Sequence, residues 1–233
     1  MRGSIRMILR LWSLLQELIK NMKDIAIYGA GGFGREVACI IKKCNEEKNR
    51  WNFIGFFDDG KPVGSENEYG KILGGIETLN SWNGQLDIVI AIGTPKIVRT
   101  VFSSITNTSV EFPNIISPDC LWLDKEKVFL GKGNIVMCGC IISCNIHIGD
   151  FNILNCGVSI GHDARIGNFN SMMPAARISG FDEIGDGNFL GVSSILLQGI
   201  KVGENVTVGA NSVLMKDAKN SSTYLGNPAK IVF

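Results

Sequence analysis

Histidine is scarce in this 233-residue chain. With only two, His147 and His162, a three-histidine metal centre is excluded, and no metal is expected. Net charge is nearly absent as well. The 23 Lys and Arg stand against 22 Asp and Glu, which provides no field for a polyanion and argues against a nucleic-acid partner. No apolar run approaches the ~18 residues that span a bilayer, so stable membrane insertion is not expected. The order of a signal peptide is missing too. The seven cysteines are an odd number without a C-x-x-C pair, which disfavours a disulfide framework and points to a reducing cytoplasm. Proline is limited to 6 residues while glycine reaches 28, a balance that suits an ordered fold with many tight corners.

The length allows two modules, each able to bury a core. Ahead of them, residues 1–21 place Ile5, Ile8, Leu9, Trp12, Leu15 and Ile19 at helical spacing among Arg2, Arg6, Arg10 and Lys20. Two readings stand: an interfacial amphipathic helix, or a segment upstream of a native start at Met22.

The first module is read over 22–116. An apolar strand (Ile25 to Tyr28) meets a glycine-rich turn, Gly29-Ala30-Gly31-Gly32-Phe33-Gly34, and a helical stretch from Arg35 to Lys43. Further strands end at Asp58-Asp59 and at Gly93, so a Rossmann-like half-domain with a short parallel sheet of four strands is expected. Such a turn lets main-chain N–H groups approach a phosphate, and the acidic pair suits a ribose or base. The alternative is a turn that only packs its helix on the sheet. The module is too short for a full dinucleotide site, so a nucleotide-sugar fits better than NAD.

The second module, 117–233, carries a fixed period. Stepping by six from Leu130 to Leu214, all fifteen positions are aliphatic. The following residue is Gly in eight of them (131, 149, 161, 167, 185, 191, 203, 209), and the fourth residue on is usually small or Asn. A hexapeptide of this kind is one short strand and a corner: the aliphatic residue points into a shared core, and Gly or Asn is expected to take the special backbone angles. Three strands close a triangular coil, so residues 18 apart stack and the coils form one continuous core. On that spacing Cys120, Cys138 and Cys156 form a column.

His162 falls on a corner beside Asp163, with Cys144 one coil below and Gly180 one coil above. An imidazole next to a carboxylate is suited to take a proton from an attacking group, and a glycine above it leaves room for a thin ligand arm. The bland alternative is a solvated corner histidine. His147 has no adjacent acid and reads as structural.

Taken together, the Gly-Ala-Gly-Gly-Phe-Gly turn, Phe-Phe-Asp-Asp, Ala-Ile-Gly, the hexapeptides with His-Asp, and the closing Gly-Asn-Pro-Ala-Lys (226–230) resemble the bacterial hexapeptide-repeat sugar acyltransferases of the bacillosamine N-acetyltransferase and sialic acid O-acetyltransferase type. The resemblance implies a left-handed β-helix, a homotrimer, and acetyl-CoA as co-substrate for acylation of an amine or hydroxyl on a sugar or nucleotide-sugar. It makes His162 the general base and Asp163 the acid that tunes it. Phe33, Gly34, Arg35, Asp58, Asp59 and Gly93 fall where the family holds the nucleotide-sugar, and Ser171, Gly180, Val192 and Ala210 where it meets the coenzyme. Two positions depart: many relatives have His in place of Phe33, and the bacillosamine enzyme has His in place of Ser171. A non-sugar acceptor, or a non-catalytic nucleotide-sugar-binding scaffold, are the competing readings.

Overall fold

The computed structural model describes residues 22–232, so both readings of residues 1–21 lie outside the described residues. The first module comprises β1 (Lys23–Tyr28), α1 (Gly32–Glu47), β2 (Trp51–Phe57), β3 (Glu66–Asn67), β4 (Gly70–Gly74), α2 (Ile76–Asn80), β5 (Leu86–Ile90), α3 (Pro95–Ser104) and β6 (Val110–Glu111). They form one sheet in the order β3-β4-β2-β1-β5-β6. All pairs are parallel except the β3–β4 hairpin. The central strand β1 carries Ile25, Ala26 and Ile27 at 0% exposure, the unbroken apolar run of a strand covered on both faces. The sheet has six strands rather than the expected four because the two-residue edge strands β3 and β6 are too short to leave a periodic signal. Helix α1 also begins earlier than expected, directly in the glycine turn.

The second module is a stack of parallel coils with three flat faces. Within one coil the first face is Ile153–Leu154, the second Ser159–Ile160 and the third Arg165–Ile166, before the chain returns to the first face at Ser171–Met172. Over this stretch strands pair at the expected separation of 18, as in Ile153↔Ser171 and His147↔Arg165. The register differs at both ends. At the base, Ile115 pairs with Ile135 and Leu121 with Ile141, because a 3-10 turn at Lys125–Lys127 lengthens the corner. At the top, Thr207 pairs with Thr223 across a shortened corner. The first coil strand is Ile115–Ile116, just before residue 117.

The base register overturns the expected cysteine column. Leu121 lies opposite Ile141, so Cys120 is in step with Cys140, and only Cys138 and Cys156 are stacked, their sulfurs 3.4 Å apart.

A second correction concerns the corners. None of the eight glycines that follow the aliphatic residue has positive φ. The left-handed residue is the third after each aliphatic, and from Gly133 to Asn211 all fourteen such positions have positive φ, including Asn145 (55°), Asp163 (59°) and Phe181 (62°). The glycines serve a different purpose, which is close stacking. A Cβ on Gly149 would lie 2.7 Å from Gly167 O, and one on Gly185 would lie 2.8 Å from Gly203 O. The asparagines four residues on are not left-handed either; they build a buried ladder between the third and first faces. The Asn134 carbonyl accepts the Asn152 N–H at 2.8 Å, Asn152 accepts from Asn170 at 3.0 Å, and Asn170 accepts from Asn188 at 2.8 Å. These side chains are fully buried yet satisfied, as interior amides must be.

The first face is where the two modules meet. Ile115, Ile135, Met137, Phe151 and Ile153 share one hydrophobic cluster with the core of the α/β module. Helix α3 packs Phe102 against Phe151, with ring centroids 4.4 Å apart, and sets Arg99 over Phe169. Helix α1 docks its C-terminal end at the base, where Lys43 pairs with Asp119 at 2.6 Å and the Cys44 thiol donates to Ile116 O.

Candidate active site

The sheet order turns back between β1 and β5, since the chain runs from β1 outward to β2 and β4 and returns on the other side of β1. At such a switch point the loops after the two strands separate and leave a crevice. Here those loops hold Gly29–Gly32 and Gly93–Thr94, and each opens a helix. Neither the α1 N-cap, Gly31, nor the α3 N-cap, Thr94, makes a side-chain capping bond, which leaves the Gly32, Phe33 and Gly34 N–H groups of α1 open; at α3 Pro95 has no N–H and Ile97 donates to Thr94 O at 2.9 Å, so only the Lys96 N–H is left there. A pair of uncapped N-termini is suited to phosphate oxygens.

Only some of the turn glycines are free for a ligand. Gly29 has φ 107°, and a Cβ there would lie 2.8 Å from Ala91 O, so it locks β1 against the loop after β5. A Cβ on Gly34 would collide with Gly29 O, which makes this glycine a packing residue. Gly31, Gly32 and Gly93 have open space around them. Phe33 packs partly buried on the core cluster, while Arg35 is exposed and paired with Glu68 at 2.8 Å.

The acidic pair is engaged inside the module. The Asp58 carboxylate accepts the Ala30 N–H at 2.8 Å and the Gly60 N–H at 2.9 Å, tying the two loops together. Asp59 accepts the Ile76 N–H at 2.8 Å, capping α2, and the Tyr28 hydroxyl. Burial, with this carboxylate second, drives the Tyr28 pKa upward, so the phenol stays a donor. Asp58 and Asp59 therefore shape the crevice, a role their position in the sequence did not reveal.

His162 sits in the corner between the second and third faces. Its Nδ1 is 2.8 Å from Asp163 Oδ2, and the Asp163 side chain also accepts from the Asn145 amide one coil below. Those two hydrogen bonds, Asn145 first, lower the Asp163 pKa, so the carboxylate is ionised at neutral pH. With Nδ1–H donated to Asp163, Nε2 is the lone-pair nitrogen. The ring is about half exposed, Phe181 packs edge-on at 5.0 Å, and Gly180 lies directly above. A Cβ on Gly180 would sit 2.7 Å from both Cε1 and Nε2. His147 lies on the third face, stacked on Phe129 at 4.4 Å, away from this corner.

The remaining expected coenzyme residues do not join Gly180 within one chain. Val192 and Ala210 stack, exposed, in the corner between the first and second faces, and Ser171 is buried on the first face. His162 occupies the corner opposite the first face, the one that carries the α/β module. The crevice and the imidazole thus lie on opposite sides of the same coil stack. Among the described residues there is no cluster of His, Cys, Asp and Glu that could hold a metal, and no helix is long and apolar enough to cross a membrane.

A Rossmann-like half-domain on one face of a hexapeptide β-helix, with a His-Asp corner, is the architecture of the hexapeptide-repeat sugar acyltransferases that the sequence resembles. Comparison with known proteins agrees in both halves. Residues 24–105 match the PglD N-terminal domain, and residues 183–216 match the hexapeptide repeat of succinyl-transferase. The acetyltransferase domain of PglB from Neisseria gonorrhoeae FA1090 is 28% identical over 90% of this chain and 100% of its own, with a TM-score of 0.82; it has also been solved with acetyl coenzyme A. PerB from Caulobacter crescentus, solved with CoA and GDP-perosamine, is 26% identical over 90% of this chain and 97% of its own, with a TM-score of 0.80. WeeI from Acinetobacter baumannii AYE is 26% identical over 91% of this chain and 100% of its own, with a TM-score of 0.82. A sequence comparison with curated proteins finds no match.

Proposed function

We propose that this chain transfers an acetyl group from acetyl-CoA to an amine or hydroxyl of a nucleotide-linked sugar. The observation that carries this reading is the His162 corner, where an ionised Asp163 holds Nδ1 and Gly180 leaves the space beside Nε2 open to a pantetheine arm. The sugar nucleophile attacks the thioester carbonyl while Nε2 accepts its proton. The tetrahedral oxyanion is steadied by main-chain N–H groups, then collapses and expels the coenzyme thiolate, which the imidazolium reprotonates. No acyl-enzyme forms. The crevice between β1 and β5 holds the nucleotide, with phosphate at the uncapped helix ends, lined by Phe33, Arg35 and Gly93, backed by Gly34 and shaped by Asp58 and Asp59. The acetyl-CoA and GDP-perosamine complexes of the similar structures support both ligand classes.

The two modules divide these two tasks between them. Because His162 and the crevice lie on opposite sides of one coil stack, the reading requires a neighbouring copy to bring them together. A homotrimer with acetyl-CoA between adjacent β-helices meets that need, placing Gly180 of one copy against Val192 and Ala210 of the next, while Ser171, buried on the first face, stays out of that cleft. Both substrate classes are cytoplasmic, and we assign the protein there. The test is thiol release from acetyl-CoA against a panel of nucleotide amino-sugars and free sugars, with His162→Ala as control. Turnover in the native protein that is lost in the variant, with oligomeric state unchanged, supports the reading; undiminished turnover in the variant refutes His162 as base.

A further inference from the structure

We propose that Asn145 is a positioning residue for this reaction, holding Asp163 so that Asp163 in turn holds His162; the inference rests on the function proposed above. Asn145 and Asp163 occupy the same left-handed corner position on successive coils, at φ 55° and 59°. The Asn145 amide donates to Asp163 Oδ1, while Asp163 Oδ2 accepts from His162 Nδ1 at 2.8 Å. Each carboxylate oxygen is thereby used once, and the plane of the group is set from both sides.

The need for such a hold follows from the surroundings. Asp163 is about one-third exposed, so its short side chain is otherwise free to rotate. Arg165, two residues on, is close enough for its charge to act on the carboxylate as well. Glu126, Lys127, His147 and Arg165 line the recess on the Asn145 side. The coil above contributes Gly180 and Phe181, which carry no charge, and the Asp182 carboxylate is turned inward onto backbone N–H groups. Cys144 lies below His162. Asn145 is thus the donor that fixes Oδ1, the carboxylate oxygen that His162 leaves free. Its side chain is not needed for the corner itself, since glycine adopts a left-handed backbone more readily than asparagine does.

That last point supplies a clean variant. Asn145→Gly keeps the corner and removes only the donor. Released from Asn145, the carboxylate is free to rotate and the imidazole loses its fixed partner. The expected result is a kcat about tenfold lower with KM for acetyl-CoA unchanged. Asn145→Asp, of the same shape but with an acceptor in place of the donor, loses at least as much turnover. Wild-type kcat in Asn145→Gly overturns the inference. A lowered Tm with kcat unchanged overturns it as well, because the role is then only structural. The His162→Ala control separates the two levels. If that variant is inactive while Asn145→Gly behaves as wild type, the positioning role alone fails; if it remains active, there is no base to position and both readings fall.

Discussion

Replacing Gly180 with alanine tests the link between coil stacking and chemistry. Gly180 is not in the left-handed region, so its backbone accepts alanine, and the only obstacle is the new methyl group. That Cβ would lie 2.7 Å from His162 Cε1 and Nε2 and 3.1 Å from Nδ1. Carbon atoms rest at about 3.5–4.0 Å, so the ring must retreat by roughly 1 Å. The imidazole is a half-exposed corner side chain and can swing toward solvent, so stability should change by less than about 1 kcal/mol. Activity should respond differently. A displacement of ~1 Å breaks the 2.8 Å contact with Asp163 and misplaces Nε2, for an expected loss of about 10²-fold in kcat/KM, equivalent to ~2.7 kcal/mol. Thiol release measured beside thermal unfolding separates the two effects. Gly161→Ala provides the contrast, because its Cβ would lie 2.5 Å from Gly180 N and 2.6 Å from Ser179 C, main-chain atoms that cannot swing aside. That variant should lose on the order of 3 kcal/mol of stability. Wild-type turnover in Gly180→Ala refutes the placement of the reacting atoms beneath Gly180.

Other outcomes follow from the interior. Asp182 is fully buried, and burial raises its pKa to about 6 from 3.8. Between those values the folded chain keeps a proton that the unfolded chain releases, so this contribution is intact below about pH 4 and lost as pH rises through about 6. The loss is on the order of 3 kcal/mol. Denaturant unfolding across that range should show the decline, and Asp182→Asn should flatten it; equal slopes in the two proteins contradict the assignment. Asn152→Ala removes the carbonyl that accepts the buried Asn170 N–H and the amide that donates to Gly167 O at 2.9 Å. It should destabilise the coils by roughly 2–4 kcal/mol in denaturant unfolding, while leaving turnover of the folded protein unchanged. Calorimetry with nucleoside diphosphates should show binding that survives His162→Ala, because the crevice is separate from the imidazole corner.

The repeat was legible from residue types alone because a β-helix is a nearly one-dimensional structure. Every sixth residue enters the same core, so the aliphatic phase from Leu130 to Leu214 announces the coils, and adding 18 places Gly180 over His162 from spacing alone. The glycine turn was legible for a similar reason, being a local motif between one strand and one helix. The departures arise where two residues count. A 3-10 turn at Lys125–Lys127 shifts Cys120 from Cys138 to Cys140, a change no periodic pattern upstream of Leu130 signals. The division of labour within the hexapeptide was hidden as well, since composition reports where Gly and Asn occur but not whether φ, close stacking or a hydrogen bond demands them.

What the sequence determined by itself was the coil, the corner carrying His162 and Asp163, and the phosphate-suited turn, all set by local spacing. Only the tertiary structure decided that Asp58 and Asp59 brace the crevice, that Asn145 reaches Asp163, and that His162 lies opposite the face carrying the α/β module. Those relations depend on how helices α1 and α3 settle on the first face, through Phe102, Phe151 and the cluster around Ile135. Such packing is a matter of shape between distant segments, which no spacing along the chain encodes.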